Sequence, residues 1–398
     1  MNNEKANSIA FDALTSGLNL SDTPTEKALS EHTEPHDAHE PIHSERVSEA
    51  FSDNLIQHSL HEYLASILKN DIQRFQSFSE CKTGYTNLDN DNVRLYPGLY
   101  AVGGISSVGK TTFISQLADQ VAQQGQFVIF FSLEQSEFDL ATKGIARLVM
   151  KHTHSDNVTA IHIRNGFMNP DIENAINEYQ KFANKIFIVD GKLNLTINRI
   201  RETVLNFSQI HQCKPVVFLD YLQIIQQDTN SYSSKFGVDM SVHELKMLSV
   251  ELDIPVFVIS SFNRSNYLSI ADFESFKESG GIEYTADVVI ALQLQAMNAH
   301  IFNSQGDLQI KRKFVQKAKS ENPRKIELLY LKNRFGRAFT RYFFDYYPRA
   351  DYFISSNIEP NQADERIHSE AEKFKAQYNS SEFNSGNESS IKTSKKPK

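Results

Sequence analysis

Gly104-Ile-Ser-Ser-Val-Gly-Lys110-Thr111 follows the apolar run Gly98-Leu-Tyr-Ala-Val-Gly103 and leads into Thr112-Phe-Ile-Ser-Gln-Leu-Ala-Asp-Gln-Val121. The order is strand, glycine-bounded loop, helix, with the G-x-x-x-x-G-K-[ST] spacing of a phosphate-binding loop. Each residue type has a task. Glycines let the backbone curl so that successive N–H groups face a phosphate, backed by the positive end of the helix dipole. Gly104, Ser106, Ser107, Gly109, Lys110, Thr111 and Thr112 are therefore candidate nucleotide-binding residues. Lys110 supplies a point charge for the β- and γ-phosphates, and Thr111 a hydroxyl for Mg²⁺. A nucleoside triphosphate is the expected ligand.

From Thr83 to about Phe353, short apolar strands alternate with helical stretches. Strands are expected at Leu99–Val102, Phe127–Ser132, Ile186–Val189, Val216–Leu219, Val256–Ile259 and Val288–Leu292. Helices are expected after Lys110, Ser136, Asp171 and Thr196, and through Val242–Leu252. Such alternation predicts an α/β fold with a mostly parallel sheet covered on both faces. Lys325–Leu331 and Arg341–Tyr347 read as antiparallel additions at its edge, joined by a basic turn.

Outside this region the composition changes. Residues 1–50 carry a net charge of −7, against −8 for the whole chain of 398 residues, and read as a disordered acidic tail. His32, His36, His39 and His43 lie within it without a cysteine, and read as solvated rather than as a metal tract. Residues 51–80 hold an amphipathic helix at Asn54–Phe75, too isolated to bury its apolar stripe without a partner. Residues 355–398 read as a second disordered tail, with a short helix near Asp364–Tyr378. Cys81 and Cys213 have no metal-ligand spacing, which suits a reducing compartment. No run of eighteen apolar residues is present and no signal pattern opens the chain, so a cytoplasmic location without membrane partners is expected.

Three more places carry chemistry. Val216-Val-Phe-Leu-Asp220 ends an apolar strand in a carboxylate, at the sheet edge where ligands bind in open α/β folds, and Asp220 is a candidate for Mg²⁺. Phe127-Val-Ile-Phe-Phe-Ser-Leu-Glu134 ends in an acid that serves either as a general base or as a complement to the following helix dipole. Lys332-Asn-Arg334 sits on a basic turn late in the region, where a Lys and an Arg two residues apart share one side of an extended segment. It reads either as surface charge or as a finger delivered to a neighbouring subunit's nucleotide. Residues 309–341 as a whole hold eleven Lys/Arg against two Glu, either a footprint for polyanions or a solvated hairpin.

In this order the motifs resemble the C-terminal motor domain of DnaB-type replicative helicases, a RecA-like P-loop NTPase, across residues 81–354. Thr83-Gly-Tyr-Thr-Asn-Leu-Asp89 looks like the family's leading motif, Phe131-Ser-Leu-Glu134 like the segment with its catalytic glutamate, and Leu219-Asp-Tyr-Leu-Gln223 like its strand-end signature. Asn263-Arg264, Glu278-Ser-Gly-Gly-Ile-Glu283, Ala286-Asp287 and Lys332-Asn-Arg334 follow in the family's order. The resemblance implies catalysis by Glu134 with Lys332 and Arg334 acting in trans. It also implies ATP and Mg²⁺ as cofactors, and DNA-backbone contact by Lys277, Glu278 and Gly280. By the same resemblance the chain forms a hexameric ring and moves 5′ to 3′ on single-stranded DNA in replication, with a separate primase or loader as partner. Two departures stand out. Ser261 occupies the γ-phosphate sensor position where the family usually has Gln, and His243 stands where an Arg is expected. The family's N-terminal collar is absent, and the 51–80 helix would serve as the linker that docks on the next subunit. The other readings are a RecA- or RadA-like DNA-dependent ATPase without processive unwinding, and a nucleotide-binding assembly module without catalysis.

Overall fold

The computed structural model describes residues 59–78, 80–190, 195–225, 234–277, 279–303 and 308–392. The acidic tail and the first residues of the Asn54–Phe75 helix lie outside them. The chain divides into two units, Met1–Leu68 and Lys69–Lys398. In the first, Ser59 caps a turn of helix at Leu60–Glu62 that widens into a π-helix at Tyr63–Ile67 without burying a residue. The expected single α-helix is thus interrupted by one wider segment. α1 (Leu68–Phe78) begins at the last residue of the first unit, and within the second unit Phe75 stacks on Tyr96 at 4.3 Å.

A nine-stranded sheet organises the second unit. Its strands are β1 (Gly98–Gly104), β2 (Val128–Ser132), β3 (Ile186–Asp190), β4 (Val216–Asp220), β5 (Pro255–Ser261), β6 (Val288–Leu294), β7 (Arg324–Asn333), β8 (Thr340–Tyr347) and β9 (Tyr352–Ser356). Their spatial order is β3-β2-β4-β5-β1-β6-β7-β8-β9. The first six run parallel and the last three antiparallel. β1, β2, β4 and β6 are buried at every residue, because helices cover both faces and leave no alternation of polar and apolar positions. The expected parallel strands all form, each within two residues of its expected bounds.

The helices that place the site are α2 (Thr86–Asn90), α3 (Lys110–Gln123), α4 (Glu137–Thr153), α5 (Ala160–Arg164), α6 (Pro170–Ala183), α7 (Ile197–His211), α8 (Ser234–Leu252) and α9 (Ser279–Thr285). Their starts follow local chemistry: Ser136 and Asp139 form a reciprocal capping box on α4, Asn169 caps α6 before Pro170, and Thr196 caps α7.

The C-terminal part differs from expectation. The basic stretch opens with a helix, α11 (Leu308–Ser320), after the short α10 (His300–Asn303). The segment expected as a tail holds the end of β9, and the short helix expected near Asp364–Tyr378 extends over Pro360–Lys392 as α12. Ala363, Ile367 and Ala371 of α12 are buried at helical spacing, and Arg341 makes a two-pronged pair with Asp364 at 2.8 and 2.7 Å. This apolar stripe is narrow and set among Ser, Asn and Glu, so composition hides that it is buried.

A buried ionic cluster joins α3, α4 and α6 to the β8–β9 turn. Arg147 pairs with Asp119, whose other oxygen accepts from Tyr179 Oη at 2.8 Å, and Arg147 Nε donates to the Asp351 carbonyl at 2.9 Å. Burial raises the Asp119 carboxyl and Arg147 offsets that. Removing one partner of such a pair strands the other charge. Arg147→Met should therefore lower the unfolding free energy by about 3–5 kcal/mol. Tyr179→Phe should cost about 1 kcal/mol. Denaturant titration measures both, and a near-neutral Arg147→Met would show that the cluster does not hold the turn.

Candidate nucleotide site and its partner edge

The phosphate loop leaves β1 at the centre of the sheet and closes through two left-handed residues, Ser107 (φ 65°) and Gly109 (φ 103°). Gly109 is required twice over. Its φ suits glycine, and a Cβ there would lie 2.8 Å from the Phe353 ring and 2.9 Å from Tyr346. Lys110 folds back over the loop, donating to the carbonyls of Gly104 (2.9 Å) and Ile105 (3.1 Å). Thr112 takes another part. Its buried hydroxyl donates to Asp351 at 3.0 Å, so the side chain ties the loop to the β8–β9 turn, leaving its backbone N–H in the first turn of α3.

A cleft of about 360 Å³ opens over the loop, lined by Ser106, Ser107, Gly109, Lys110, Thr111 and Thr112 together with Glu134, Asp220 and Ser261. The sheet explains how these distant residues meet. Ser132 and Asp220 are register partners at the carboxyl ends of β2 and β4, and Leu133 N–H donates to the Asp220 carbonyl at 2.9 Å. Gly104 and Ser261 are partners at the ends of β1 and β5. Burial pushes the Asp220 carboxyl up to about 6, with Thr111's hydrogen bond opposing and Glu134 adding to the rise. Burial likewise brings the Lys110 ammonium down to about 8, against the pull of Asp220 and Glu134. Both groups lack adequate opposite charge for their burial.

Asp220 Oδ2 is buried without a hydrogen-bond partner. An orphaned carboxylate oxygen beside the Thr111 hydroxyl fits a magnesium ion, which takes one or two protein oxygens and fills its shell with phosphate and water. Accordingly, no cluster of three His, Cys, Asp or Glu side chains suited to a metal exists among the described residues.

Lys332 and Arg334 lie elsewhere. β7 runs antiparallel to β6, pairing Asn333 with Val288, so the two side chains emerge at the edge where β1 begins. Arg334 donates to Asp287 Oδ1 at 3.0 Å, and Asp287 Oδ2 accepts from Leu99 N–H at 2.8 Å and Lys246 at 2.7 Å. Leu99 and the loop's Gly104 are five strand residues apart, roughly 17 Å. Arg334 is still half exposed, at 51 % of its side chain. Lys332 Nζ donates to the carbonyls of Glu283 (2.6 Å) and Tyr284 (3.3 Å), at the last turn of α9.

Lys277 is exposed, and its N–H donates to the Ser261 carbonyl at 2.8 Å. Gly280 has open space where a Cβ would stand, and Glu278 lies outside the described residues. His243 is exposed on α8. Lys143, Tyr267, Arg324, Tyr346 and Asp351 also line the cleft and were not anticipated. Lys143 lies 3.4 Å from Asp351. No local motif marks these residues; the antiparallel strands bring Arg324, Tyr346 and Asp351 over the loop.

No helix among the described residues is long and apolar enough to cross a membrane. A family model described as the DnaB-like helicase C terminal domain matches residues 81–341. A replicative DNA helicase DnaB of Helicobacter pylori is 26% identical over 306 residues, covering 70% of this chain and 61% of the relative. One from Rickettsia conorii is 30% identical over 254 residues, covering 58% and 48%. The chain thus spans about half to three fifths of the length of these relatives. Among solved structures, one described as an ATPase domain superposes with a TM-score of 0.59 at 19% identity, covering 75% of this chain and 99% of that one. A DnaB-like replicative helicase, described with its interactions with primase, gives 0.59 at 18% identity, covering 78% and 75%. These likenesses establish the RecA-like fold. The match takes in the phosphate loop, the strands that carry Glu134 and Asp220, and the Lys332–Arg334 edge, and the chain belongs to the DnaB-like helicase C-terminal domain family.

Proposed function

We propose that this chain is an ATP-driven, ring-forming DNA helicase that moves 5′ to 3′ on single-stranded DNA, hydrolysing ATP at the junction between subunits. The observation that carries the reading is the separation of the phosphate loop from the Lys332–Arg334 edge. A half-exposed arginine at the far end of β1 is out of reach of its own loop and available to a neighbour's. A ring of six repeats that junction.

Within a junction, backbone N–H groups of residues 104–111 and Lys110 hold the triphosphate. Thr111 and Asp220 hold Mg²⁺, which when bound neutralises charge on the β- and γ-phosphates. Glu134, exposed at the cleft, orients the attacking water and takes its proton. The water oxygen bonds to the γ-phosphorus as the bond to the bridging oxygen breaks, releasing ADP and phosphate. Arg334 and Lys332 of the adjacent subunit stabilise the charge that develops in between. Ser261 meets the γ-phosphate, and its own carbonyl grips the N–H of Lys277, which leads into the DNA-contacting residues 277–280. Exposed Lys277 and unobstructed Gly280 suit close approach of a phosphate backbone without base readout. The structurally similar helicase is described with primase, and a separate primase or loader is the partner expected here.

Ser261 also favours a second reading. A hydroxyl shorter than an amide side chain would couple hydrolysis to movement weakly, giving a DNA-dependent ATPase without processive unwinding.

ATP hydrolysis by the full chain should rise on addition of single-stranded DNA and vanish in Glu134→Gln or on chelation of Mg²⁺. Hydrolysis indifferent to DNA would sink the motor reading, and stimulated hydrolysis without strand separation on a forked duplex would select the second one. Arg334→Ala should lower turnover about 10³-fold or more while leaving ATP binding intact. Mixing it with Lys110→Ala should restore partial activity, because one junction in the mixed ring joins an intact loop to an intact finger. Normal turnover by Arg334→Ala would remove the trans assignment.

A further inference from the structure

Residues 309–341 carry a local charge excess of +9, and much of it is neutralised inside the fold. Lys325 pairs with Asp345 at 2.7 Å, Arg341 with Glu327 and Asp364, and Arg334 with Asp287. Lys319 and Arg324 follow a different pattern. Lys319, in the last turn of α11, donates to the Ser106 carbonyl at 3.0 Å. Arg324, the first residue of β7, donates to the Ser107 carbonyl at 2.8 Å. Among the described residues no carboxylate pairs with either cation, and the charge acting on Lys319 is that of Arg324.

We propose that Lys319 and Arg324 are positioning residues for the nucleotide's phosphates, bracing the phosphate loop through its carbonyls. This rests on the nucleotide reading of the cleft. The Ser106 carbonyl shares a peptide plane with the Ser107 N–H, and the Ser107 carbonyl with the Val108 N–H. A cation on each carbonyl fixes the peptide plane, holds the N–H in the opposite direction and polarises it into a stronger donor. The loop needs such support because Ser107 is held at φ 65°, a conformation disfavoured for a residue with a side chain.

Electrostatics point the same way. Lys319 is pushed toward the neutral form by burial and by Arg324. Two neighbouring cations with no paired carboxylate are costly in the protein alone and favourable once phosphate charges arrive. The brace is itself anchored. Tyr346 lies beside the Arg324 guanidinium at 5.8 Å and stacks on Phe353 at 4.3 Å. On α11, Phe314 packs on Phe374 of α12 at 5.3 Å, and Lys313 lies over the Tyr378 ring at 4.4 Å.

The test is ADP and pyrophosphate binding to the full chain by calorimetry with Mg²⁺ present, alongside steady-state ATP hydrolysis. The double variant Lys319→Gln, Arg324→Gln should weaken both ligands by about tenfold or more. Its KM should rise correspondingly, with kcat at saturating ATP changed by less than about threefold, since the brace acts on ground state and transition state alike. Arg324→Lys should recover part of the affinity, and melting temperature without nucleotide should stay at the wild-type value. Wild-type affinity in the double variant would overturn the proposal. So would a loss that Arg324→Lys shares in full and that tracks a lowered melting temperature, which would assign the pair to folding. A wild-type chain that binds neither ligand would overturn the nucleotide reading and the brace together.

Discussion

No side chain fits between the phosphate loop and the aromatic shelf formed by Tyr346 and Phe353, and the architecture of the site follows from that constraint. Because Gly109 must pass within contact distance of both rings, β8 and β9 are part of the site rather than decoration at the sheet edge. Thr112 and Asp351 close the same joint with a hydrogen bond, and Gln116 exchanges two more with the Phe353 backbone, each 2.8 Å. The first strand–helix unit and the last strands thus meet as one surface, although some 240 residues separate them in sequence. Close packing of this kind moves between discrete arrangements rather than deforming smoothly. A shift of the β8–β9 turn would therefore be felt at the phosphates.

The opposite edge is organised by a single buried carboxylate. Asp287 binds the N–H at the start of β1, the ammonium of Lys246 on α8 and the guanidinium of Arg334. It fixes where Arg334 stands while leaving half of that side chain outside. β1 is then a stiff rod with a nucleotide cradle at one end and a presented cation at the other. Lys332 extends this arrangement, because its contacts with Glu283 and Tyr284 attach it to the last turn of α9.

Much of this was legible from residue order, for identifiable reasons. Parallel strands buried on both faces read as continuous apolar runs, and β4 stops in an acid at the carboxyl edge, so Asp220 stood out. Glu134, two residues past β2, was instead singled out by the family motif. The loop's spacing is set by backbone geometry and hence by sequence. Lys143, Arg324, Tyr346 and Asp351 were not legible, because each reaches the cleft through tertiary folding and none belongs to a spaced motif. The basic stretch misled in part. Its charge count suggested one footprint, whereas folding pairs Arg341 and the half-exposed Arg334 with buried acids and sends Lys319 and Arg324 to the loop. The short helix expected near Asp364–Tyr378 forms part of the longer α12, whose full extent is hidden because its neighbours are polar.

The family match ends at Arg341, at the second residue of β8. Two walls of the cleft, Tyr346 and Asp351, and the shelf residue Phe353 lie beyond that point. A fragment cut at the end of that match would therefore keep every recognisable motif and lose the surface that seats Gly109, the acceptor for Thr112 and the acid that holds Arg341 to α12. For this chain the end of the family match and the end of the working unit are different places. Protein engineering that grafts or trims the motor should follow the second, carrying the chain through β9 and at least the part of α12 that reaches Tyr378.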